Sequence, residues 1–102
     1  MECPIRALII TPDAQRLETI SQDLSTLQKL VGGYIEHVSI NAQLSLLCNE
    51  NGIMERLPVN RRAMDFIAKF SCYHVLHGTI VIVGAVPPNK EYFNNIPKDI
   101  VL

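Results

Sequence analysis

A chain of 102 residues, 48% hydrophobic and 19% charged, is the size of one domain with a modest core and leaves no room for a second. Nine Lys and Arg against ten Asp and Glu give a formal net charge of -1. No global positive field is available to hold a phosphate backbone, so nucleic acid is not an expected partner.

No apolar run reaches membrane-spanning length, and the N-terminus lacks the basic, apolar and small-residue order of a signal peptide, so no membrane partner is expected and the chain is placed in the cytoplasm. Cys3, Cys48 and Cys72 are odd in number and without paired spacing, which argues for reduced thiols rather than a disulfide framework. Cys48 falls in an apolar stretch and reads as core.

Ile5 to Thr11 (IRALIIT) is apolar and rich in β-formers, and Thr11-Pro12-Asp13 signals a turn. Arg16 to Ile20 fits either the start of a long helix or the second arm of a hairpin, and its alternation favours the hairpin. Residues 23 to 40, DLSTLQKLVGGYIEHVSI, carry the clearest local signals. Leu24, Leu27, Leu30 and Val31 recur at helical spacing and form an apolar stripe that needs a sheet to cover it. Asp23 or Ser21 caps the first turn, and Gly32 supplies the left-handed residue that ends a helix of roughly two to three turns. From Tyr34 to Ile40 the period changes to two, as in a strand.

Gln43 to Cys48 reads as a further strand, Asn49 to Gly52 as a hairpin turn, and Ile53 to Leu57 as a short returning strand. Pro58 interrupts pairing, and Asn60 caps a helix running to about Phe70, with Ala63, Met64, Ile67, Ala68 and Phe70 as its apolar face. Ser71 to His77 is irregular. Thr79 to Val86 (TIVIVGAV) is apolar on both alternating sets, the mark of a strand in the middle of a sheet. Pro87-Pro88 ends it. Residues 87–102 have no clear period and are read as a tail that docks on the body or on a partner.

The expected fold is a single α+β domain over residues 1–102: a mixed, mainly antiparallel sheet of about five or six strands with two short helices packed on it. Open sheet edges make a homo-oligomer the expected assembly.

The segments LQKLVGGYIE (Leu27 to Glu36), LLCNENG (Leu46 to Gly52), LPVNRRA (Leu57 to Ala63) and GTIVIVG (Gly78 to Gly84) occur in this order over about two thirds of the chain. Together they resemble domain of unknown function family 3846, found in bacteriophages, plasmids and the bacteria that carry them. The resemblance supports the hairpin over residues 5 to 20 and implies a mobile-element protein, but it brings no settled chemistry. The chain departs from the family pattern in the Phe70 to His77 connection and in the tail.

Among candidate sites, Asn60-Arg61-Arg62 stands out. Two arginines in the first turn of a helix oppose its dipole by roughly 0.3–1 kcal/mol each. An anion bound by guanidinium forks and free helix N–H groups would compensate, as would pairing of Arg62 with Asp65 and of Arg61 with Glu55 or solvent. Cys72, His74 and His77 lie within six residues but lack a fourth ligand, so no metal is expected there. Gly32-Gly33 follows a helix and precedes a strand, the reverse of a phosphate loop. His37 lies beside Glu36, but Ser39 and Ser45 lack a nucleophile-elbow context, so catalysis and a cofactor are not expected.

Three functions compete. The first is a non-catalytic counter-defence protein that sequesters an anionic nucleotide-derived signalling molecule, with Asn60, Arg61 and Arg62 on the anion and Tyr34 stacking on a base. The second is an inhibitor that binds a host defence or regulatory protein through an edge strand, the 70–77 loop or the tail. The third is a small metal-dependent hydrolase using Cys72, His74, His77 or His37.

Overall fold

The chain runs through β1 (Ile5–Ile10), β2 (Gln15–Ile20), α1 (Leu24–Val31), β3 (Ile35–Ser39), β4 (Leu44–Asn49), α2 (Arg61–Ala68) and β5 (Ile80–Gly84). The computed structural model describes residues 4–88, 90 and 92–100; Cys3 and the last two residues lie outside these. A single five-stranded sheet has the order β2-β1-β5-β4-β3. Every neighbouring pair is antiparallel. β5 is third of the five and all its residues are buried, as a run apolar on both faces requires.

Residues 5–20 form the hairpin, in register from Ile5↔Ile20 to Ile10↔Gln15. The Thr11 hydroxyl accepts the N–H groups of Asp13 and Ala14, which closes the turn locally.

One expectation is refined and one corrected. The first is a refinement: the four pairings between the named strands are all antiparallel. Ile53 to Leu57 is not a returning strand: residues 50–56 coil into turns. The reason is non-local, since β4 already pairs with β3 on one side and with β5 on the other and has no edge to offer. Asn49 stabilises the coil, its Oδ1 accepting from Asn51 N–H and its Nδ2 donating to the Val31 carbonyl and the Glu55 carboxylate.

Strand alternation sends two apolar sets to opposite faces. Ile5, Ala7, Ile9, Leu47, Val81 and Val83 meet Leu27 and Val31 of α1. On the other face Leu8, Ile10, Leu46, Ile80 and Ile82 meet Ala63, Phe66 and Ile67 of α2. The sheet is thus covered by one helix on each side.

Asp23 caps α1 by accepting from Thr26 N–H, and Gly32 ends it with φ of 84°. Hydrogen bonds to the ionised carboxylate, that from Thr26 foremost, hold the Asp23 pKa below 3.8. Leu24, expected on the buried stripe, sits at the first position of the helix and remains 63% exposed.

The tail fills a gap in the sheet. β1 and β5 pair only from Leu8↔Ile82 to Ile10↔Ile80. Beyond that, residues 94–96 come between them: Asn94 exchanges both backbone hydrogen bonds with Gly84, and Ile96 donates to the Arg6 carbonyl. Among the described residues no helix is long and apolar enough to cross a membrane.

Candidate functional site

Asn60 positions everything at this end of α2. Its Oδ1 accepts from Ala63 N–H, and its Nδ2 donates to the carbonyls of Ile10, at the end of β1, and of Gly78, just before β5. Its own N–H donates to the Leu76 carbonyl, and the residue is fully buried. The expectation that Asn60 touches an anion is therefore corrected: its amide is committed inside the protein. It pins the start of α2 against the β1–β2 hairpin, and so brings Arg61 and Arg62 beside that hairpin's turn.

Between the turn and the helix lies a concavity of about 520 Å³, where Pro12 and Gln15 face Arg61, Arg62, Asp65 and Lys69 above the Phe66 ring. Arg62 reaches the Asp13 carbonyl at 3.4 Å, and Lys69 Nζ lies 5.9 Å from the Phe66 ring centroid. Three cations against the single carboxylate of Asp65 leave a formal surplus of two positive charges.

Neither of the pairings weighed from sequence, Arg62 with Asp65 or Arg61 with Glu55, is formed. Among the described residues the only ion pair is Arg16–Glu18, on β2. The helix has no acidic residue in its first turn. In the first turn, Ala63 N–H is capped by the Asn60 side chain and Met64 N–H donates to the Asn60 carbonyl, which leaves the N–H groups of Arg61 and Arg62 at the open end of the helix. Within the hollow's lining the three cations face the single exposed carboxylate of Asp65.

Lys69 and Gln15 were not picked out from sequence, although a signal existed for the first. Lys69 follows Arg62 by seven residues, two helical turns, and so shares its face. Gln15 joins only through the tertiary contact of hairpin and helix. Tyr34 is not brought to the arginines. It is 68% exposed at the entrance to β3, three strands across from β1, roughly 14 Å at ordinary inter-strand spacing. The aromatic ring under the cations is Phe66.

The other candidates separate. Cys72 is buried, His74 is exposed and His77 Nδ1 meets the Leu57 carbonyl at 3.1 Å. Among the described residues no group of three or more His, Cys, Asp or Glu is placed to hold a metal. His37 Nε2 lies 2.9 Å from the Ser45 hydroxyl, but Ser45 is 1% exposed, beneath the edge-on contact of His37 with Phe93. Burial, with the Glu36 charge adding to it, pushes the Cys48 thiol up to about 11.

One apolar surface went unrecognised. Ile53 and Met54 in the 50–56 turns and Tyr73 and Val75 in the 71–77 connection are 66% to 83% exposed. Val75 lines two hollows of about 350 Å³ each, one with Ile53 and Met54 and the other with Met64, Ala68 and Tyr73. Folding 50–56 into turns instead of a strand is what leaves Ile53 and Met54 outside.

The sequence matches the model of the domain of unknown function DUF3846 over residues 5–101, nearly the whole chain. The chain belongs to the DUF3846 family. No curated protein and no solved structure shows significant similarity to it. In this DUF3846 chain the matched region spans all seven elements and the tail segment that completes the sheet.

Proposed function

We propose that this DUF3846 protein is a non-catalytic binder of a phosphorylated, nucleotide-derived small molecule, which it holds in the concavity between the β1–β2 turn and α2. The observation that carries the reading is the convergence there of Arg61, Arg62 and Lys69 with no carboxylate ion pair. Guanidinium forks donate paired N–H bonds to phosphate oxygens, and the helix N-terminus adds its partial positive charge. Gln15 and Asp65 line the same hollow and are of the types that read the polar edges of a base or sugar. The mobile-element setting implied by the family resemblance points to a host signalling nucleotide as the ligand and to counter-defence in the host cytoplasm as the role.

The test is native mass spectrometry of protein recovered from cells of the source system, followed by denaturation to release cargo. A released phosphorylated molecule, absent from the Arg61→Ala/Arg62→Ala/Lys69→Ala variant, is the expected result. Cargo that is unchanged in the variant would remove the site.

A second reading is favoured by the exposed Ile53, Met54, Tyr73 and Val75: a host protein inhibited through this apolar surface. Tyr73→Ser with Val75→Ser separates the two readings, because it abolishes capture of a protein partner while leaving anion binding intact.

A further inference from the structure

β2 forms one edge of the sheet, and its backbone can be followed pair by pair. Arg6 N–H donates to Asn95 Oδ1 and the Arg6 carbonyl accepts from Ile96 N–H, so both groups point away from β2. Arg6↔Thr19 is therefore a pair without mutual hydrogen bonds, and alternation along an antiparallel ladder makes Leu8↔Leu17 and Ile10↔Gln15 the same kind. The bond from Thr11 N–H to the Ala14 carbonyl fixes the same phase at the turn. The backbone N–H and C=O groups of Gln15, Leu17 and Thr19 thus face outward from the sheet. Among the described residues, no hydrogen bond from another segment meets them.

The side chains of this edge read the same in both directions about Leu17. Pairing with Ile9 and Ala7 places Arg16 and Glu18 on the α1 face, where their ion pair at 2.8 Å is half exposed. Pairing with Leu8 places Leu17 on the α2 face, 47% exposed. A positive, an apolar and a negative residue in succession are complementary to themselves when a second copy runs antiparallel. A parallel copy in register sets like charge against like, as does a two-fold axis moved by one residue to Arg16 or Glu18. β3, the opposite edge, lacks this symmetry: about its middle residue, His37, Glu36 would face Val38.

We infer that β2 pairs antiparallel with β2 of a second copy about a two-fold axis at Leu17, joining two sheets into one continuous sheet. Leu17 meets the partner's Leu17 and Gln15 meets the partner's Thr19, each pair exchanging bonds through the groups that face outward in the single chain. Arg16 lies opposite the partner's Glu18 at the closer spacing of a pair without mutual hydrogen bonds, about 4.5 Å between Cα atoms, and the reverse pair repeats it. The ion pair of each chain becomes half of a ring of four alternating charges. The pairing also brings the partner's Thr19 beside Gln15, one wall of the cation hollow. Whether that hollow takes phosphate does not alter the pairing.

The experiment is native mass spectrometry and sedimentation of the full chain at rising concentration, with Glu18→Arg, Arg16→Glu and Leu17→Pro. The expected result is a dimer that grows with concentration and is weakened about tenfold or more by either charge variant alone. Mixing the two charge variants restores it as a mixed dimer, because one edge is then wholly positive and the other wholly negative. Leu17→Pro removes an outward N–H and leaves the bonds to β1 in place, as an edge strand tolerates, so it abolishes the dimer while circular dichroism shows the fold retained. A chain that stays monomeric to roughly millimolar concentration overturns the inference. So does a dimer that survives Leu17→Pro, or one whose two charge variants do not rescue each other. The charge variants alter only exposed side chains and keep the test decisive should Leu17→Pro not fold.

Discussion

Gly84→Ala tests how the tail completes the sheet. A Cβ on Gly84 would meet the Asn95 carbonyl oxygen and lie 2.8 Å from Asn94 Cβ. These neighbours belong to the tail's own chain path, so no side-chain rotation relieves the clash, and the tail must leave its slot. Releasing Ile96, now 1% exposed, forfeits about 1.5–3 kcal/mol of apolar burial. Loss of the two Gly84–Asn94 backbone bonds and of that from Ile96 to the Arg6 carbonyl, the ones beside the clash, adds about 0.5–1.5 kcal/mol net each. A loss of about 3–7 kcal/mol is expected, large against a domain stability of about 5–15 kcal/mol.

Thermal unfolding reads this directly, since about 1 kcal/mol shifts Tm by roughly 4–8 °C at this size. Hydrogen exchange should locate the change, with the Phe93, Asn94 and Ile96 amides losing protection while those of β4 and β5 up to Val83 keep it. Ile96→Ala in the Gly84→Ala background should cost almost nothing more, because the two changes remove the same docking. A Tm unchanged within error, with the tail amides still protected, would refute the reasoning.

Four further outcomes are expected. Asn60→Ala uncaps α2 and strands the carbonyls of Ile10 and Gly78, so denaturant unfolding should show a loss of about 2–4 kcal/mol, more than the typical ~1 kcal/mol of an exposed cap. Because the folded-state pKa of Asp23 is depressed, its contribution is present above pH 3.8 and lost as pH falls through the lower folded value; Asp23→Asn should flatten that acid limb of the stability curve. Cys48 runs the opposite way: its thiol is raised from 9.0 to about 11, so the unfolded chain ionises first and stability should fall between those values, a fall that Cys48→Ala removes. Arg61→Glu with Arg62→Glu should raise thermal stability slightly in ligand-free protein, by roughly 0.3–1 kcal/mol per reversed dipole contact, as measured by calorimetry, while abolishing anion binding.

Features set by adjacent residues were legible in the sequence. The two-faced apolar run of Ile80–Val83 announced the central strand, and Asp23, Gly32 and Asn60 marked helix ends because capping is a local hydrogen-bond matter. What depended on distant pairing was not legible. Ile53 to Leu57 has strand-like composition, yet β4 had no free edge for it. The polar Asn94-Asn95 pair gives no periodic signal, and only the divergence of β1 from β5 makes a place for it. At the candidate site the arginine pair was visible as a conflict with the helix dipole. Lys69 entered through helical period, Gln15 through the packing of hairpin against helix, and Tyr34 dropped out because the sheet width separates it from α2.

The most direct measurement is an amide-shift titration of ¹⁵N-labelled protein with a nucleoside diphosphate and with inorganic pyrophosphate. Saturable shifts confined to residues 13–15 and 61–69, weakened by salt and absent in the Arg61→Ala/Arg62→Ala/Lys69→Ala variant, are the predicted result. A flat titration, or shifts centred on Ile53, Met54, Tyr73 and Val75, would contradict phosphate recognition at α2.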